Sequence, residues 1–545
     1  MKRNLVLLLS SSFIMTTMLS GCSQTSSKEI DPLELLKNEN ARKAINLSID
    51  NQQLVEQVIM NGSVATDSIV PKGLATNDIG DDYRNFAGEY GYSHDEEKAK
   101  EYWAKAKEEL GFETVKLDLI TNDDDTGKIT AEFLQGEIES ALEGASVEIR
   151  PLPSKQKIDA QIKHEYTMSN SLWSADFPDP LDFLGIFTTN GFFANRMQYS
   201  NEEYDALVNK AKNAETTEEA WKIFSEAEKM FVDEGAAIPL YQRGKAFLQK
   251  EYVEDVIVYG YGLNTSYRYA KMNNGSKDLR TTINSDIPTL DISKATDSTS
   301  FLVLGNILEG LTTLDKDGNV VPAIAESWTQ SEDGKTWTFN IRKDSKWSNG
   351  ESITAKDFEY SFKRTLNPDT ASQYGYLFND IVGAEDYNGG KVDNADNVGV
   401  KAIDDYTFEV TLNRRVNYFD KLMVFPIFYP QSEEFVNANK DTYGANKDSV
   451  LCNGPFVLSE WKMEDAFTLS KNEKYRDKDS INLDNIYYKI SKDSNTTVNL
   501  YEDDQVDRVE VSSEFAEKYK DSKELVKIQE PAVSFIMLNV GGAEK

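Results

Sequence analysis

The sequence predicts a multidomain α/β protein, and three observations carry that reading. The chain has 545 residues, more than one hydrophobic core accommodates, so two or three domains are expected. Apolar residues make up 39% and aromatic residues 11%, which supports large cores and excludes a disordered chain. Residues 115–150 read strand, helix, strand: Val115 to Ile120 alternates, a helical stretch covers 128–142, and 147–150 is a second short strand. That spacing is a βαβ unit with a parallel pair.

The remaining segments follow in order. Lys2-Arg3, an apolar run from Leu5 to Met15 and the small residues before Cys22 describe a secretory signal over 1–21. Leu19-Ser20-Gly21-Cys22 resembles the lipobox of bacterial lipoproteins, which implies a lipid on Cys22, a polar tether over 22–30 and an extracytoplasmic place on the cell membrane. No other run reaches the ~18 apolar residues of a membrane span. Ala44, Ile45, Leu47 and Ile49, then Leu54, Val55, Val58 and Ile59, suit a helix pair broken near Asp50. An irregular loop is expected from Gly73 to Ser93. Glu96 to Leu110 reads as an amphipathic helix ended by Gly111. A further helix covers 218–233, with a capping box from Thr216 and Glu219 and a stop at Gly235, and 237–241 is a strand. The polar stretch 273–276 is a linker. Trp337, Phe339 and Ile341 alternate after an Asp333-Gly334 turn, as a hairpin strand does, and 404–412 alternates likewise.

Charge and motifs narrow the function. The net charge of −33 excludes a general surface for nucleic acid or anionic lipid. If Cys22 is lipidated, Cys452 stands alone and is a buried small residue. His94 and His164 lie in no metal-ligand spacing, so neither a metal nor another cofactor is expected. No nucleophile elbow or phosphate loop is present, so no catalytic residue is assigned.

The segment 168–184 is the chain's most informative. It is apolar, carries Trp173 and then Asp176, and Phe177-Pro178 and Asp179-Pro180 force it towards extended backbone. Such a segment suits an extended partner strand. A carboxylate in an apolar run is costly unless a cation meets it.

Several motifs together resemble the oligopeptide-binding proteins of ATP-driven importers, the family-5 solute-binding proteins. They are Trp328, Asp333-Gly-Lys-Thr-Trp337-Thr-Phe339, Trp347-Ser-Asn-Gly350, Thr354-Ala-Lys-Asp357-Phe358 and Asn453-Gly-Pro-Phe456, with Trp173, Asp176 and 238–241. In the family, segments like 278–545 precede segments like 31–272, so the halves of this chain resemble a circularly permuted member. The resemblance implies a two-lobed periplasmic-binding-protein-like α/β fold (type II, cluster C) with an extra subdomain. One lobe would combine 31–240 with 533–545, the other 241–321 with 415–532, and the extra subdomain would be 322–414. It also implies that Lys545 and Asp31 lie close in space.

The implied activity is capture, not catalysis. A monomeric receptor would hold an oligopeptide extended between its lobes and deliver it to the permease of an ABC importer. The peptide main chain would pair with Ser171, Leu172, Trp173, Ser174, Ala175 and Asp176 on one side and with Glu309 to Leu311 on the other. Asp176 would receive the peptide α-amino group, and Trp173, Tyr374 and Tyr241 would line pockets. Where family members grip a short peptide's C-terminus with basic residues just before the Trp, this chain has Asn170, and the nearest basic residues are Lys163 and His164. The competing readings are the same fold holding a signalling peptide, a nickel complex or a sugar, and a surface hydrolase using Asp176 and Asp179.

Overall fold

A twelve-stranded sheet runs through the computed structural model, which describes residues 28–77, 80–90, 94–263 and 265–541. The expected signal, Cys22 and Lys545 lie outside the described residues. Along the chain the strands are β1 (Glu29–Ile30), β2 (Thr114–Asn122), β3 (Ala145–Leu152), β4 (Met168–Ser174), β5 (Ala237–Gln249) and β6 (Asp278–Ile283), then β7 (Ala325–Gln330), β8 (Thr336–Ile341), β9 (Val400–Asp404) and β10 (Thr407–Thr411). β11 (Phe456–Lys462), β12 (Ala466–Lys471), β13 (Asn485–Ile490), β14 (Arg508–Val511) and β15 (Leu525–Leu538) complete the set used here. The main sheet has the order β1-β2-β4-β15-β5-β14-β6-β13-β12-β11, with β3 beside β2 and the short strand Val64–Ala65 beside β5.

The two ends of this sheet are the sheets of two lobes. β2 and β3 pair in parallel in full register, the βαβ unit the sequence predicts, with α3 (Asp125–Ala141) as its crossover. The helices α1 (Glu39–Ser48) and α2 (Glu96–Leu110) cover the first lobe, and Gly111 closes α2 in the left-handed region. At the far end β6 and β13 pair in parallel while β11, β12 and β13 form an antiparallel meander.

Two long strands join the lobes. β5 and β15 are antiparallel, with Ala237 to Gln242 against 533–537 in the first lobe and Gly244 to Leu248 against 525–529 in the second. The register breaks between Gln529 and Val533, where one lobe hands over to the other. Gly244 sits at this break against the backbone of Gly62, where a Cβ would lie 2.2 Å from a carbonyl carbon. β5 is therefore much longer than the strand read over 237–241.

A separate four-stranded antiparallel sheet, β7-β8-β10-β9, is built from the densest motifs. Trp337, Phe339 and Ile341 are buried in it, and Gly334 takes the positive φ of the turn before it. The capping box of Thr354 and Asp357 starts the helix Ala355–Leu366, and Trp347 is buried nearby. The apolar core of this sheet is continuous with that of the second lobe.

Several local expectations change. The loop before Ser93 contains a short helix, Tyr83–Ala87, whose Arg84 is buried against Glu228. Thr216 accepts the N–H of Glu219, but Glu219 does not return the bond, so the helix Thr217–Glu234 has half a box. The strand read over 404–412 is Thr407–Thr411, because Asp404 turns the chain by accepting the Tyr406 N–H. Cys452 is buried and free. Among the described residues no helix is long and apolar enough to cross a membrane, and no cluster of ligating side chains could hold a metal.

The last described residues pack in the first lobe. Val540 donates its N–H to Met197 O, and the α-carbon of Gly541 lies against the Lys37 side chain, where a Cβ would be 3.1 Å from Cε.

Candidate functional site

β4 lies between β2 and β15, and its two edges are used differently. The Ala175 N–H donates to Pro531 O at 3.0 Å, and Trp173 stands opposite Val533. Hydrogen-bonded and non-bonded pairs alternate along an antiparallel ladder. Ser171, Trp173 and Ala175 therefore spend their main-chain groups on β15, while Asn170, Leu172 and Ser174 direct theirs to the other edge. On that edge β2 pairs only with Met168 and Ser169. The Asn170 carbonyl accepts Lys157 Nζ at 2.8 Å. The outward N–H and C=O groups of Leu172 and Ser174 have no partner among the described residues. The result is a short open strand edge.

Asp176 stands just beyond it and is 7% exposed. The Tyr376 hydroxyl donates to Oδ2 at 3.0 Å, and no Lys or Arg pairs with the carboxylate among the described residues. Burial lifts its carboxyl from 3.8 to about 7. Asp182 is buried behind it and accepts the Asp176 N–H at 2.9 Å. Burial, and then the charge of Asp176, hold the Asp182 carboxyl well above the ordinary range. Two buried carboxyls without a cation make this the place in the lobe that gains most from one.

The opposite wall comes from the second lobe and its attached sheet. Tyr376 stacks on Tyr374 at 5.8 Å, and Tyr374 meets Phe301 and Phe425. Phe301 belongs to the helix Ser298–Ile307, capped by Asp297. Further out Phe177 stacks flat on Tyr418 at 5.0 Å. Arg414 donates to Lys212 O at 2.9 Å while its fork holds Asp380 at 2.8 and 2.6 Å. Lys212 reaches the same Asp380 at 3.4 Å. The lobes are thus closed on each other around the open edge.

Of the residues expected from sequence, Trp173, Ser174, Leu172, Asp176 and Tyr374 come together here. Trp173 is half-buried, with its ring on Phe192 and Phe193. Ser171 and Ala175 lie in the same strand with their main chain already paired. Glu309 and Tyr241 sit differently from what the sequence predicts. Asn453 accepts the Glu309 N–H at 2.9 Å and donates to its carbonyl at 3.0 Å. The Leu311 carbonyl accepts from Ala323 and Ala325, and Gly310 O accepts from Ile324. The Glu309 main chain and the Gly310 and Leu311 carbonyls are therefore engaged inside their own lobe, while the Gly310 and Leu311 N–H groups have no partner among the described residues. Gly310 packs so tightly that a Cβ would meet Met423 O at 2.5 Å. The Glu309 side chain is equally engaged, with Arg476, Arg268 and Tyr475. Tyr241 lies in the first lobe's core, not in a pocket.

Sequence reasoning missed Tyr376, Asp182, Lys157 and Arg243, whose guanidinium reaches Ser174 Oγ at 3.1 Å and Glu530 at 2.7 Å. Only Asp182 carried a signal, as a second carboxylate in the same apolar run.

A closed two-lobed α/β protein with an open strand edge between its lobes is a solute-binding protein by architecture. The chain belongs to the bacterial extracellular solute-binding proteins, family 5, whose "family 5 Middle" model matches residues 25–195 and 319–543. It is 38% identical over 241 residues to the dipeptide-binding protein DppE of Bacillus subtilis (strain 168), covering 44% of each chain. It is 39% identical over 239 residues to the oligopeptide-binding protein OppA of the same organism, covering 43% of this chain and 44% of that protein. Among solved structures, the substrate-binding domain of an oligopeptide ABC transporter from Bacillus anthracis str. Ames shares 46% identity over 46% of this chain and 48% of that one, with a TM-score of 0.45. Listeria monocytogenes OppA bound to peptide shares 41% identity over 46% of this chain and 49% of that one, also with a TM-score of 0.45. Each match spans about half the length of the relative.

Proposed function

We propose that this chain is an extracytoplasmic receptor that captures oligopeptides in extended form and delivers them to the permease of an ABC importer. The observation that carries the reading is the open edge of Leu172 and Ser174 ending at a buried, cation-free Asp176. A peptide lying on that edge gains main-chain hydrogen bonds that any sequence can make, and its α-amino group meets Asp176. The tyrosine wall of Tyr374 and Tyr376 closes over it. Relatives named for dipeptide and oligopeptide binding support the same reading. Cys22 carries the lipid in this scheme, and the receptor acts as a monomer without catalysis.

The halves are read as exchanged relative to the family order. Two facts support this: Gly541 lies against Lys37, and each relative aligns with less than half of the chain although the family model matches two separate stretches. The lobes would be 31–240 with 533–545, and 241–321 with 415–532, around the extra sheet of 322–414.

Native mass spectrometry of the purified protein, followed by calorimetry with synthetic peptides, tests the function. Co-purified peptides and affinity for free-amine peptides are expected. Retention of a sugar or nickel complex, with no peptide affinity, would overturn it. A chain rejoined from 541 to 31 and opened near 273–277 tests the exchange, and is expected to melt as the original does.

A further inference from the structure

The lobes are joined at the hinge by a third contact besides the two strands. Asn51–Gln53 runs on into a π-helical turn, Leu54–Ile59, whose Leu54, Val55 and Ile59 are buried in the first lobe. The turn ends at Met60, which sits in the left-handed region at φ 48° with its N–H on Val55 O at 3.0 Å. Single π turns gather at functional positions, and a left-handed non-glycine residue persists only where its surroundings over-determine it. Here the surroundings include the other lobe. Ser513 Oγ donates to the Ile59 carbonyl, and Lys527 Nζ donates to the Met60 carbonyl at 3.3 Å. Gly62, at φ 96°, lies against the Lys527 stem, where an added Cβ would be 3.1 Å from the Lys527 Cβ. Ser63 Oγ accepts the Gly244 N–H at 2.9 Å, at the break in β5. The chain then rejoins the first lobe, with Val64 and Ala65 paired to Gln242 and Tyr241.

The pairing of β5 shows which way this contact works. Along one edge of β5 runs β15, and beyond β15 lies β4 with the open edge and Asp176. Along the other edge Val64–Ala65 stands opposite 241–242, and β14 stands opposite 246–249. These two belong to different lobes and lie end to end, with a gap between them at Gly244. Residues 59–63 fill the gap, braced on Gly244, Lys527 and Ser513. The cleft and the filled gap are thus on opposite sides of the strands that bend. A rotation about β5 and β15 that widens the cleft narrows the gap, and close-packed atoms do not yield to it. We propose that residues 59–63 are an opening stop, which limits how far the lobes part and keeps the empty receptor near its closed form. The stop acts on the motion of the lobes, so it does not rest on which ligand the cleft holds.

X-ray scattering on the full chain tests it. Ser513→Ala with Lys527→Met deletes both bonds to the segment at one half-buried and one exposed position, and keeps most of the Lys527 stem. Without peptide, the radius of gyration of this variant should exceed that of the unaltered chain. It should rise further when Asp380→Asn also removes the ion pairs at the lobe contact. With tetra-alanine bound, every form should return to the radius of the unaltered complex. A peptide-free radius unchanged in both backgrounds, or a rise that is equal with and without peptide, would overturn the stop. The unaltered chain gives a check that needs no variant: its peptide-free radius should exceed its peptide-bound radius only slightly, and a large difference would overturn the proposal. Failure of tetra-alanine to bind would count against peptide capture, and the peptide-free comparison would still decide the stop.

Discussion

Replacing Asp176 by Asn tests the site most directly, because it keeps size and the Tyr376 contact while deleting charge. In the folded chain burial moves this carboxyl from 3.8 to about 7. A difference of that size corresponds to about 4 kcal/mol against ionisation. The raised value fixes the sign: the group's contribution to stability is full below about 3.8 and is lost as pH rises to about 7. At pH 7.5 the Asn variant without peptide should therefore be more stable than the original by up to about 4 kcal/mol, and at pH 4 nearly equal to it. Binding should move the other way. An ammonium rewards only the ionised carboxylate, so the variant should lose ~2–5 kcal/mol of affinity for a free-amine peptide, and little for its N-acetyl form. Denaturant titration at both pH values and calorimetry at pH 7.5 read the two effects. Equal affinity of both proteins for the free-amine peptide would refute the role of Asp176, and a stability difference independent of pH would refute the argument from burial.

Peptide binding at pH 6 should release about one proton, because the ammonium draws Asp176 into its ionised form from a value of about 7; calorimetry in two buffers of different ionisation enthalpy measures it. Asp380→Asn removes the anion shared by Arg414 and Lys212 at the lobe contact, and should open the chain in solution, read as a larger radius of gyration by X-ray scattering without peptide. Asn453→Ala strips both partners from the buried main chain of Glu309 and should cost ~2–4 kcal/mol of stability in a denaturant titration.

What was legible in the sequence was local. The periods of Val115 to Ile120 and of the helix Glu96–Leu110 are written in adjacent residues, and so are the caps at Gly111 and Gly235. Asp176 was legible because a carboxylate in an apolar run contradicts its neighbours. β5 was half-hidden: beyond Tyr241 it reads Gln242-Arg243-Gly244-Lys245, which alternates poorly, yet strands on both sides hold it as the link between lobes. Tyr241 was misplaced for the same reason, since the face of a doubly paired strand that points to the core is not set by its own pattern.

The second wall of the cleft was legible only in part. Glu309-Gly310-Leu311 has the look of a free edge, but Asn453, far along the chain, takes both polar groups of Glu309, and Ala323 and Ala325 take Leu311 O, so only the Gly310 and Leu311 N–H groups stay open. A buried main-chain group must find a partner. Which group remains open for a ligand is thus decided by distant side chains. The open edge at Leu172 and Ser174 exists because β2 parts from β4 after Ser169, and Lys157 fills only the first position exposed. A binding edge is what long-range pairing leaves over. It can be found only by following each N–H and C=O to its partner, and in this chain that search ends at the outward groups of Leu172 and Ser174 beside Asp176 and at the N–H groups of Gly310 and Leu311.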